Sequence, residues 1–184
     1  SEGPMLFTHW GLSGPAVLKM SSLAARYLSE KQYEFRVGIN FIPAMNEEQI
    51  RQLLLSNKVI LKEKKIINSV IAALPSRLCE RLVELSGISK ELKWGDDSNT
   101  LFNKLASNIS NSLIEVKGKT TFKEEFVTCG GVALKEINMS TMESKLLPGL
   151  YFAGEILDID GVTGGFNFQA AWSTGFIAGT NAGA

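Results

Sequence analysis

The fold of this chain is decided by the stretch Gly149-Leu-Tyr-Phe-Ala-Gly-Glu-Ile-Leu-Asp-Ile-Asp-Gly-Val-Thr-Gly-Gly-Phe-Asn-Phe-Gln169. It opens with a short apolar run, Leu150 to Ala153, which is typical of a strand buried on both faces. Glu155 follows at the end of that run, and the next residues are the glycines of a turn. Helical spacing begins at Phe166. The order therefore predicts a strand, a carboxylate, a glycine turn and a helix start.

This order has a chemical meaning. Ligands of open α/β sheets collect outside the carboxyl ends of the strands, so Glu155 is placed to accept hydrogen bonds from sugar or ribityl hydroxyls. The bare amides of a helix N-terminus form an anion site. Together they favour a protein that binds the flavin end of a dinucleotide. The alternative is that Glu155 is an ordinary solvated loop residue.

The helix that is predicted from Phe166 onward has two distinctive faces. Small residues recur every four positions and aromatic residues line the adjacent face: Ala171, Gly175, Gly179 and Gly183, then Phe168, Trp172 and Phe176. This pattern predicts a helix that lies inside the protein. A membrane span is disfavoured because polar residues interrupt the segment.

Two other ligand patterns fail on spacing. Asp158-Ile-Asp160-Gly161 resembles part of a calcium loop, but Asn167 then stands where a bidentate Glu is needed. A P-loop needs Gly-Lys-Ser or Gly-Lys-Thr, whereas Phe166 follows Gly165. Nucleoside triphosphate chemistry is therefore disfavoured.

The composition is that of a globular protein with a substantial core. The chain has 184 residues, 45% of them hydrophobic, and its 19 basic residues balance 19 acidic ones. We expect one or two domains, and the charge balance argues against a nucleic-acid partner. No signal peptide is recognised, and the chain begins at Ser1 without Met, so we expect it to be part of a longer protein.

Cysteine and histidine are scarce. Cys79 and Cys129 lie far apart and His9 is the only histidine, so we predict no metal site. Both cysteines are expected to be packed thiols in a reducing compartment, which predicts a cytoplasmic protein. A hydrolase would depend on His9 and lacks the Gly-x-Ser-x-Gly elbow.

Helices and strands are distributed unevenly along the chain. Strands are predicted over 5–8, 33–41, 113–116 and 122–128, and helices from Pro15 to Leu28, from Asn46 onward, and over 64–74, 75–86 and 99–109. We therefore predict an α+β fold in which a helical subdomain, residues 44–110, is inserted into a β framework.

Four segments of the chain belong together: Phe7-Thr-His-Trp-Gly-Leu-Ser-Gly-Pro-Ala16, Cys129-Gly-Gly-Val132, Thr141-Met-Glu-Ser-Lys145 and Leu150 through Gln169. In combination they resemble a known family, the BaiN-like FAD-binding oxidoreductases, whose members are also labelled aminoacetone-oxidase-like. Proteins of this family begin with a Gly-x-Gly-x-x-Gly turn that cradles the FAD pyrophosphate. That turn does not occur here, so the chain resembles the carboxy-terminal half of the family.

The resemblance implies a domain plan for this fragment of a flavoprotein. Residues 1–43 and 111–128 would form a β-barrel-like middle domain with one helix, and residues 44–110 would cover the substrate side. Residues 129–184 would be the closing strand–helix unit of a Rossmann-like FAD domain. The implied partners are a small-molecule substrate and the N-terminal FAD-binding half of the same protein, with NAD(P)H as a candidate electron donor. The fragment alone is expected to be inactive.

The resemblance also assigns site residues. Gly154 and Glu155 would contact the ribityl–phosphate part of FAD, and a second group would face the isoalloxazine: Gly164, Gly165, Phe166 and Asn167. His9 is a candidate catalytic acid or base, with a structural histidine that ties its turn to a backbone carbonyl as the alternative. Asp158 is expected to hold the glycine loop through local hydrogen bonds.

Two rival interpretations stay open. The first is a non-catalytic helical interaction module on a flavoprotein-derived scaffold, with an exposed apolar groove on residues 44–110. The second is an NAD(P)-binding protein without flavin. Within the leading hypothesis, the sequence does not choose between an oxidase and a reductase, and it does not identify the substrate.

Overall fold

The structure is a computed structural model that describes residues 1–69, 71, 73–96, 99–120, 127–162 and 164–183. It divides into two compact units, one formed by Ser1–Glu34 with Lys117–Ala184 and the other by Phe35–Val116. The described residues form a mixture of helices and strands, as predicted. The predicted helical subdomain, 44–110, lies within the second unit.

Twelve elements are described, with three additional 3₁₀ turns. In chain order they are β1 (Leu6–Phe7), β2 (Leu12–Ser13), α1 (Pro15–Leu23), α2 (Ala25–Glu30), β3 (Glu34–Ile39), α3 (Glu47–Ile60), α4 (Ser76–Leu85), α5 (Asn99–Ser110), β4 (Ser112–Lys117), β5 (Ile137–Asn138), β6 (Glu143–Ser144) and α6 (Phe166–Ala182). The 3₁₀ turns are Ile66–Asn68, Leu134–Glu136 and Gly154–Ile156. The strands pair as three separate two-stranded ribbons, β1 with β2, β3 with β4 and β5 with β6.

The predicted start of α3 is confirmed. The Asn46 side chain accepts a hydrogen bond from the Gln49 amide at 2.9 Å, and the Gln49 side chain accepts one from the Asn46 amide at the same distance. This capping box satisfies two amides that the first helical turn leaves open. Glu47 and Glu48 add negative charge at the positive end of the helix dipole.

The unit Phe35–Val116 is built around one apolar core. Its largest fully buried side chains come from α3, α4, α5 and the segments between them: Ile50, Leu54, Ile66, Leu82, Trp94, Phe102, Leu105 and Ile109. Trp94 and Phe102 pack with ring centroids 5.4 Å apart. The Trp94 indole also donates to the Ser69 hydroxyl at 2.8 Å, so its polar atom is satisfied inside the core.

The prediction of a helix over residues 64–74 is wrong. Only a 3₁₀ turn, Ile66–Asn68, forms within the described part of that range. The backbone there pairs with a distant segment instead, because the Ile66 amide donates to Leu92 and the Trp94 amide donates to Lys64. This tertiary pairing, which brings Trp94 into the core, overrides local helix propensity.

One other predicted element differs in extent. The helix predicted from Pro15 to Leu28 is divided into α1 and α2 at Ala24, which has a φ of −105° and a ψ of 8°. The predicted strand over 122–128 falls mostly on residues 121–126, which lie outside the described residues. The β-barrel-like domain stays a prediction.

The doubly buried strand predicted for Leu150 to Ala153 is also wrong. Leu150 is 39% exposed, and the run is half-buried. Within the described residues, a bridge joins Tyr151 to Glu143 in antiparallel fashion. A strand needs pairing on both edges and cover on both faces to be fully buried, and the described residues provide only part of that environment.

Helix α6 forms where it was predicted, but its aromatic face is not inside the described unit. Phe168, Trp172 and Phe176 are 65%, 70% and 76% exposed. The opposite face carries the buried residues Thr174 and Ala178. Within the described part of the chain, no helix has the length and apolarity needed to cross a membrane.

A cavity in the core of the second unit is expected to lower the stability of that unit strongly. Leu105→Ala should lower the free energy of unfolding by about 2–5 kcal/mol, since Leu105 is fully buried and its neighbours cannot fully collapse into the space. Urea unfolding followed by the fluorescence of the nearby core residue Trp94 measures it. Leu85→Ala, at a position 56% exposed, is the control. Equal effects of the two changes would contradict the core assignment.

Candidate functional site

The glycine turn before α6 is held by a side chain of α6 itself. The Asn167 amide group bonds the Gly161 peptide at both ends: its oxygen accepts from the Gly161 amide at 2.7 Å and its nitrogen donates to the Gly161 carbonyl at 2.9 Å. A Cβ at Gly161 would lie 3.1 Å from that Asn167 oxygen. Glycine is therefore the residue that best permits this close approach.

A second side chain of α6 holds the turn that carries Glu155. The buried Thr174 hydroxyl accepts from the Gly154 amide at 3.0 Å and donates to the Ala170 carbonyl at 2.7 Å. Gly154 has a φ of +75°, which favours glycine. The 3₁₀ turn Gly154–Ile156 is thereby fixed against α6.

A short backbone pairing holds the chain around the end of the 3₁₀ turn Gly154–Ile156. The Val132 amide donates to Ile156 and the Asp158 amide donates to Val132, which forms a parallel bridge between Val132 and Leu157. A Cβ on Gly131 would lie 2.5 Å from the Ile156 carbonyl oxygen. The Gly-Gly-Val segment can approach so closely only because Gly131 has no side chain.

These contacts bring several predicted site residues together. Gly154, Glu155 and Asn167 line one small recess, of about 10 Å³, with neighbouring residues of α6. Glu155 is exposed, as are Gly164, Gly165 and Phe166 at the start of α6. The recess therefore offers one wall to a ligand and is too small to enclose one.

The start of α6 keeps the features of an anion site. Its N-cap, Gly165, is in the left-handed region with a φ of 96°, and no side chain caps the helix. The first amides of a helix have no partner within it, and they lie at the positive end of its dipole.

The predicted cofactor residues fall into two groups. Gly154 and Asn167 use their polar groups to shape the turn, whereas Glu155, Gly164, Gly165 and Phe166 face outward.

His9 lies on another element of the same unit. It is exposed in the turn between β1 and β2, with its ring 6.2 Å from that of Trp10. The turn is held by Thr8, whose hydroxyl donates to the Gly11 carbonyl at 3.0 Å and accepts from the Gly11 amide at 3.1 Å. The turn therefore has a polar side chain other than His9 to close it.

Sequence reasoning missed an ionic cluster beside the glycine loop. Arg26 of α2 donates to both carboxylate oxygens of Asp158, at 2.6 and 2.9 Å. Asp158, which is expected to hold the loop through local hydrogen bonds, is thus also paired across 132 residues of sequence. No local signal could have indicated it. A recess of about 410 Å³ lies here, lined by residues 22–27 with Cys129 and Asp160.

Cys129 belongs to the same cluster and is half-buried rather than enclosed. Interaction with the Asp160 carboxylate raises the pKa of Cys129 above its ordinary value, and partial desolvation acts in the same direction. The neutral thiol is therefore favoured near pH 7. Cys79, in contrast, is buried in the core of the second unit.

Two family descriptions match the chain. The family described as "HI0933-like protein barrel and H2TH domain" matches residues 1–127, and the family described as "Glucose inhibited division protein A" matches residues 80–184. The first covers well over half of the chain, including the β1–β2 turn and the helical unit. The chain belongs to the BaiN-like, HI0933-like family of FAD-binding oxidoreductases. The resemblance inferred from the four sequence segments is confirmed.

Individual relatives are similar over most of the chain. The Ribosomal RNA dihydrouridine synthase of Escherichia coli (strain K12) is 36% identical in an alignment of 174 positions that covers 92% of this chain and 40% of the relative. The Haemophilus influenzae protein of the same name is also 36% identical, over 94% of this chain and 40% of its own. A 3-dehydro-bile acid delta(4,6)-reductase of Clostridium scindens is 31% identical, over 96% and 43%. The chain spans about two fifths of the length of these relatives.

Removal of the Thr174 hydroxyl is expected to affect both the exchange of one amide and the stability of the whole unit. Thr174→Val should leave the Gly154 amide without its acceptor and lower the stability of the unit by about 1–3 kcal/mol. Amide hydrogen exchange at Gly154 should become faster, whereas Thr174→Ser should retain protection. Thr180→Val is the matched control, because the Thr180 hydroxyl makes the same helical back-bond, to Phe176, and has no second partner among the described residues. Unchanged exchange at Gly154 in Thr174→Val would contradict the contact.

The acidic environment of Cys129 predicts its reactivity. Asp160→Asn removes the negative charge that raises the pKa of the thiol, so more thiolate forms at a given pH and alkylation becomes faster. Iodoacetamide labelling at pH 8, quantified by mass spectrometry, should show a several-fold increase at Cys129. Cys79 is an internal control, since burial protects it in both proteins. Equal labelling rates at Cys129 would exclude control by Asp160.

Proposed function

We propose that this chain is the carboxy-terminal portion of an FAD-dependent oxidoreductase, in which it closes the flavin site and covers the substrate side. The observation that carries the proposal is the uncapped start of α6 at Gly165, adjoining the turn that presents Glu155. Membership of an FAD-binding family supports it. The complete protein is proposed to act in the cytoplasm.

The described residues fit one side of FAD. Glu155 supplies exposed acceptor oxygens for ribityl hydroxyls, and Gly164 and Gly165 leave the backbone open to close approach. The site lacks its own pyrophosphate cradle, so we propose that the N-terminal half of the longer protein supplies it and that this chain alone is inactive.

When bound, FAD supplies the electron-transfer chemistry, and the protein contributes placement and electrostatics. The amides at the start of α6 favour negative charge on a group placed against them. Asn167 keeps those amides in place by fixing the turn to Gly161. We therefore assign Asn167 to positioning rather than to direct contact with the isoalloxazine.

The names of the relatives favour a reductase over an oxidase. Dihydrouridine differs from uridine by two added hydrogens, and the bile acid relative is itself named a reductase. Both point to the saturation of a conjugated carbon–carbon double bond, for which NAD(P)H is the electron donor that we propose.

Two substrates remain in competition. The neutral charge of the chain favours a small molecule, whereas two relatives at 36% identity are named for ribosomal RNA. We keep the small molecule as the leading proposal and a uridine of ribosomal RNA as the second. Incubation of the reduced complete protein with unmodified ribosomal RNA and with a steroid enone, each followed by mass spectrometry, separates them.

The flavin proposal is tested first by the visible absorption spectrum of the protein from its complete reading frame. A flavin band, released as FAD on denaturation, supports it. A folded complete protein that refuses added FAD contradicts it and favours the interaction module.

Glu155 is expected to contribute to flavin retention. Glu155→Ala in the complete protein should weaken FAD binding by about tenfold to a hundredfold, since a hydrogen bond to a charged group is worth about 1.5–3 kcal/mol. Equilibrium dialysis of FAD measures the change. Glu63→Ala is the control, because Glu63 is an exposed carboxylate of the other unit that pairs with Lys93. Equal FAD affinity in wild type and Glu155→Ala would remove Glu155 from the site.

His9 is expected to act in turnover without holding flavin. His9→Ala should fold normally, because Thr8 closes the turn, and should retain bound FAD. The rate of flavin reduction or reoxidation with substrate, followed by stopped-flow absorbance, should fall by about 10²–10⁴-fold if His9 is the acid or base. Unchanged turnover would remove His9 from the mechanism.

A further inference from the structure

Residues 158–160, which we call the linking segment, lie between the 3₁₀ turn and the glycine loop. Ile159, the middle residue, lines the small recess that also contains Glu155 and Asn167. It packs as well against the smaller apolar core of the same unit. The next residue, Gly161, is the one whose peptide Asn167 bonds at both ends. The position of the linking segment therefore sets one wall of the candidate site and the start of the glycine loop.

The two carboxylates of the linking segment lie on the side of α2. Asp158 accepts two hydrogen bonds from a single guanidinium nitrogen of Arg26, at 2.6 and 2.9 Å. Asp160 lines the larger recess beside α2. Ile159, which stands between the two carboxylates in the sequence, packs against the apolar core instead. The linking segment is therefore held by an ion pair on one side and by apolar packing on the other.

Burial makes the acidic end of the ion pair the demanding one. The Asp158 side chain is 27% exposed, whereas the Arg26 side chain is 65% exposed. A carboxylate that is largely removed from water needs a partner, and loss of the partner leaves an uncompensated charge. The Asp158 amide also donates to the Val132 carbonyl, so the backbone is held at the same residue. Loss of the Arg26 partner should therefore displace the linking segment as the carboxylate turns toward water.

We propose that Arg26 is a positioning residue of the flavin site, an inference that rests on the proposed function. Through Asp158 it holds the linking segment, and so it keeps Ile159 and the Gly161 peptide where they form the wall of the site. Arg26 lines the recess beside α2 and is not among the described residues that line the recess with Glu155. Its effect on the flavin is therefore exerted through Asp158.

The alternative is an ion pair that stabilises the unit and has no effect on flavin. Ion pairs between exposed side chains usually contribute little to stability. The Arg26–Asp158 pair differs from such a pair because its carboxylate is mostly buried and joins segments that are 132 residues apart. The test must therefore measure the flavin itself as well as stability.

Arg26→Met in the complete protein removes the charge and retains an aliphatic stem. Its affinity for FAD, measured by equilibrium dialysis, should fall by about threefold to tenfold. The visible absorption bands of the bound flavin should shift, because the wall beside it has moved. Asp158→Asn should have the same effects. The double variant should bind FAD no more weakly than either single variant, since both changes break one pair.

Arg26→Lys is the conservative variant. One nitrogen of Arg26 makes both contacts, so an ammonium group can take its place. FAD affinity and the flavin spectrum should return close to those of the wild type. Arg51→Met is the matched control, because Arg51 also bonds both oxygens of one carboxylate, Glu48, but does so within α3. It should leave FAD affinity and the flavin spectrum unchanged.

Three results would overturn the proposal. The first is wild-type FAD affinity and an unchanged flavin spectrum in Arg26→Met, which would leave only a stabilising ion pair. The second is an equal loss of affinity in Arg51→Met, which would make the effect a general one of lost ion pairs. The third is additive losses in the double variant, which would show that Arg26 does not act through Asp158.

Amide hydrogen exchange at Gly161 separates this inference from the proposed function, because it is measured in the complete protein without FAD. Faster exchange in Arg26→Met, together with a wild type that binds no FAD, would contradict the proposed function and retain the hold of Arg26 on the glycine loop. A wild type that binds FAD, together with equal exchange and equal FAD affinity in Arg26→Met, would retain the function and contradict the role of Arg26.

Discussion

The interaction on which this region depends is the double hydrogen bond between the Asn167 side chain and the Gly161 peptide. It joins the first turn of α6 to the loop that precedes it. The Thr174 hydroxyl makes the equivalent contact two turns later, to the Gly154 amide. In both contacts a side chain of α6 bonds the peptide group of a glycine. The backbone of the loop must therefore lie close to the helix. α6 therefore acts as the template on which the 3₁₀ turn and the glycine loop are shaped.

This template decides which polar groups remain for a ligand. A donor that is already bonded within the protein is a poor ligand group, since binding would first have to break that bond. The Gly154 amide and the Asn167 amide group are committed in this way. The Glu155 carboxylate and the first amides of α6 are not used by the contacts described here. The predicted cofactor residues thus fall into two groups. Some shape the site, and the others present polar groups to a ligand.

The sequence predicted well those elements whose signals are local. The capping residues Asn46 and Gln49 mark the start of α3, and Gly87 lies just beyond the end of α4 with a φ of +76°. It failed where distant backbone decides the outcome, as in the pairing of Ile66 with Leu92. The site followed the same rule. Glu155 and the glycine turn could be recognised from their order along the chain, whereas the Arg26–Asp158 pair joins segments that no local pattern connects.

The failed expectation about α6 has a different origin. Its pattern predicted burial, and the structure of this chain buries only the side that holds Thr174 and Ala178. A hydrophobic pattern shows which faces of a helix are apolar and does not show what covers them, so the aromatic face is apolar as predicted while the described residues bury the other side. The helix thus has two unlike faces: its inner face holds the glycine loop and the 3₁₀ turn through Asn167 and Thr174, and its outer face carries three exposed aromatic residues. Because Asn167 joins α6 to the Gly161 peptide, a shift of α6 would move the glycine loop with it. On the proposed function, flavin retention should therefore depend on how firmly α6 is held in place.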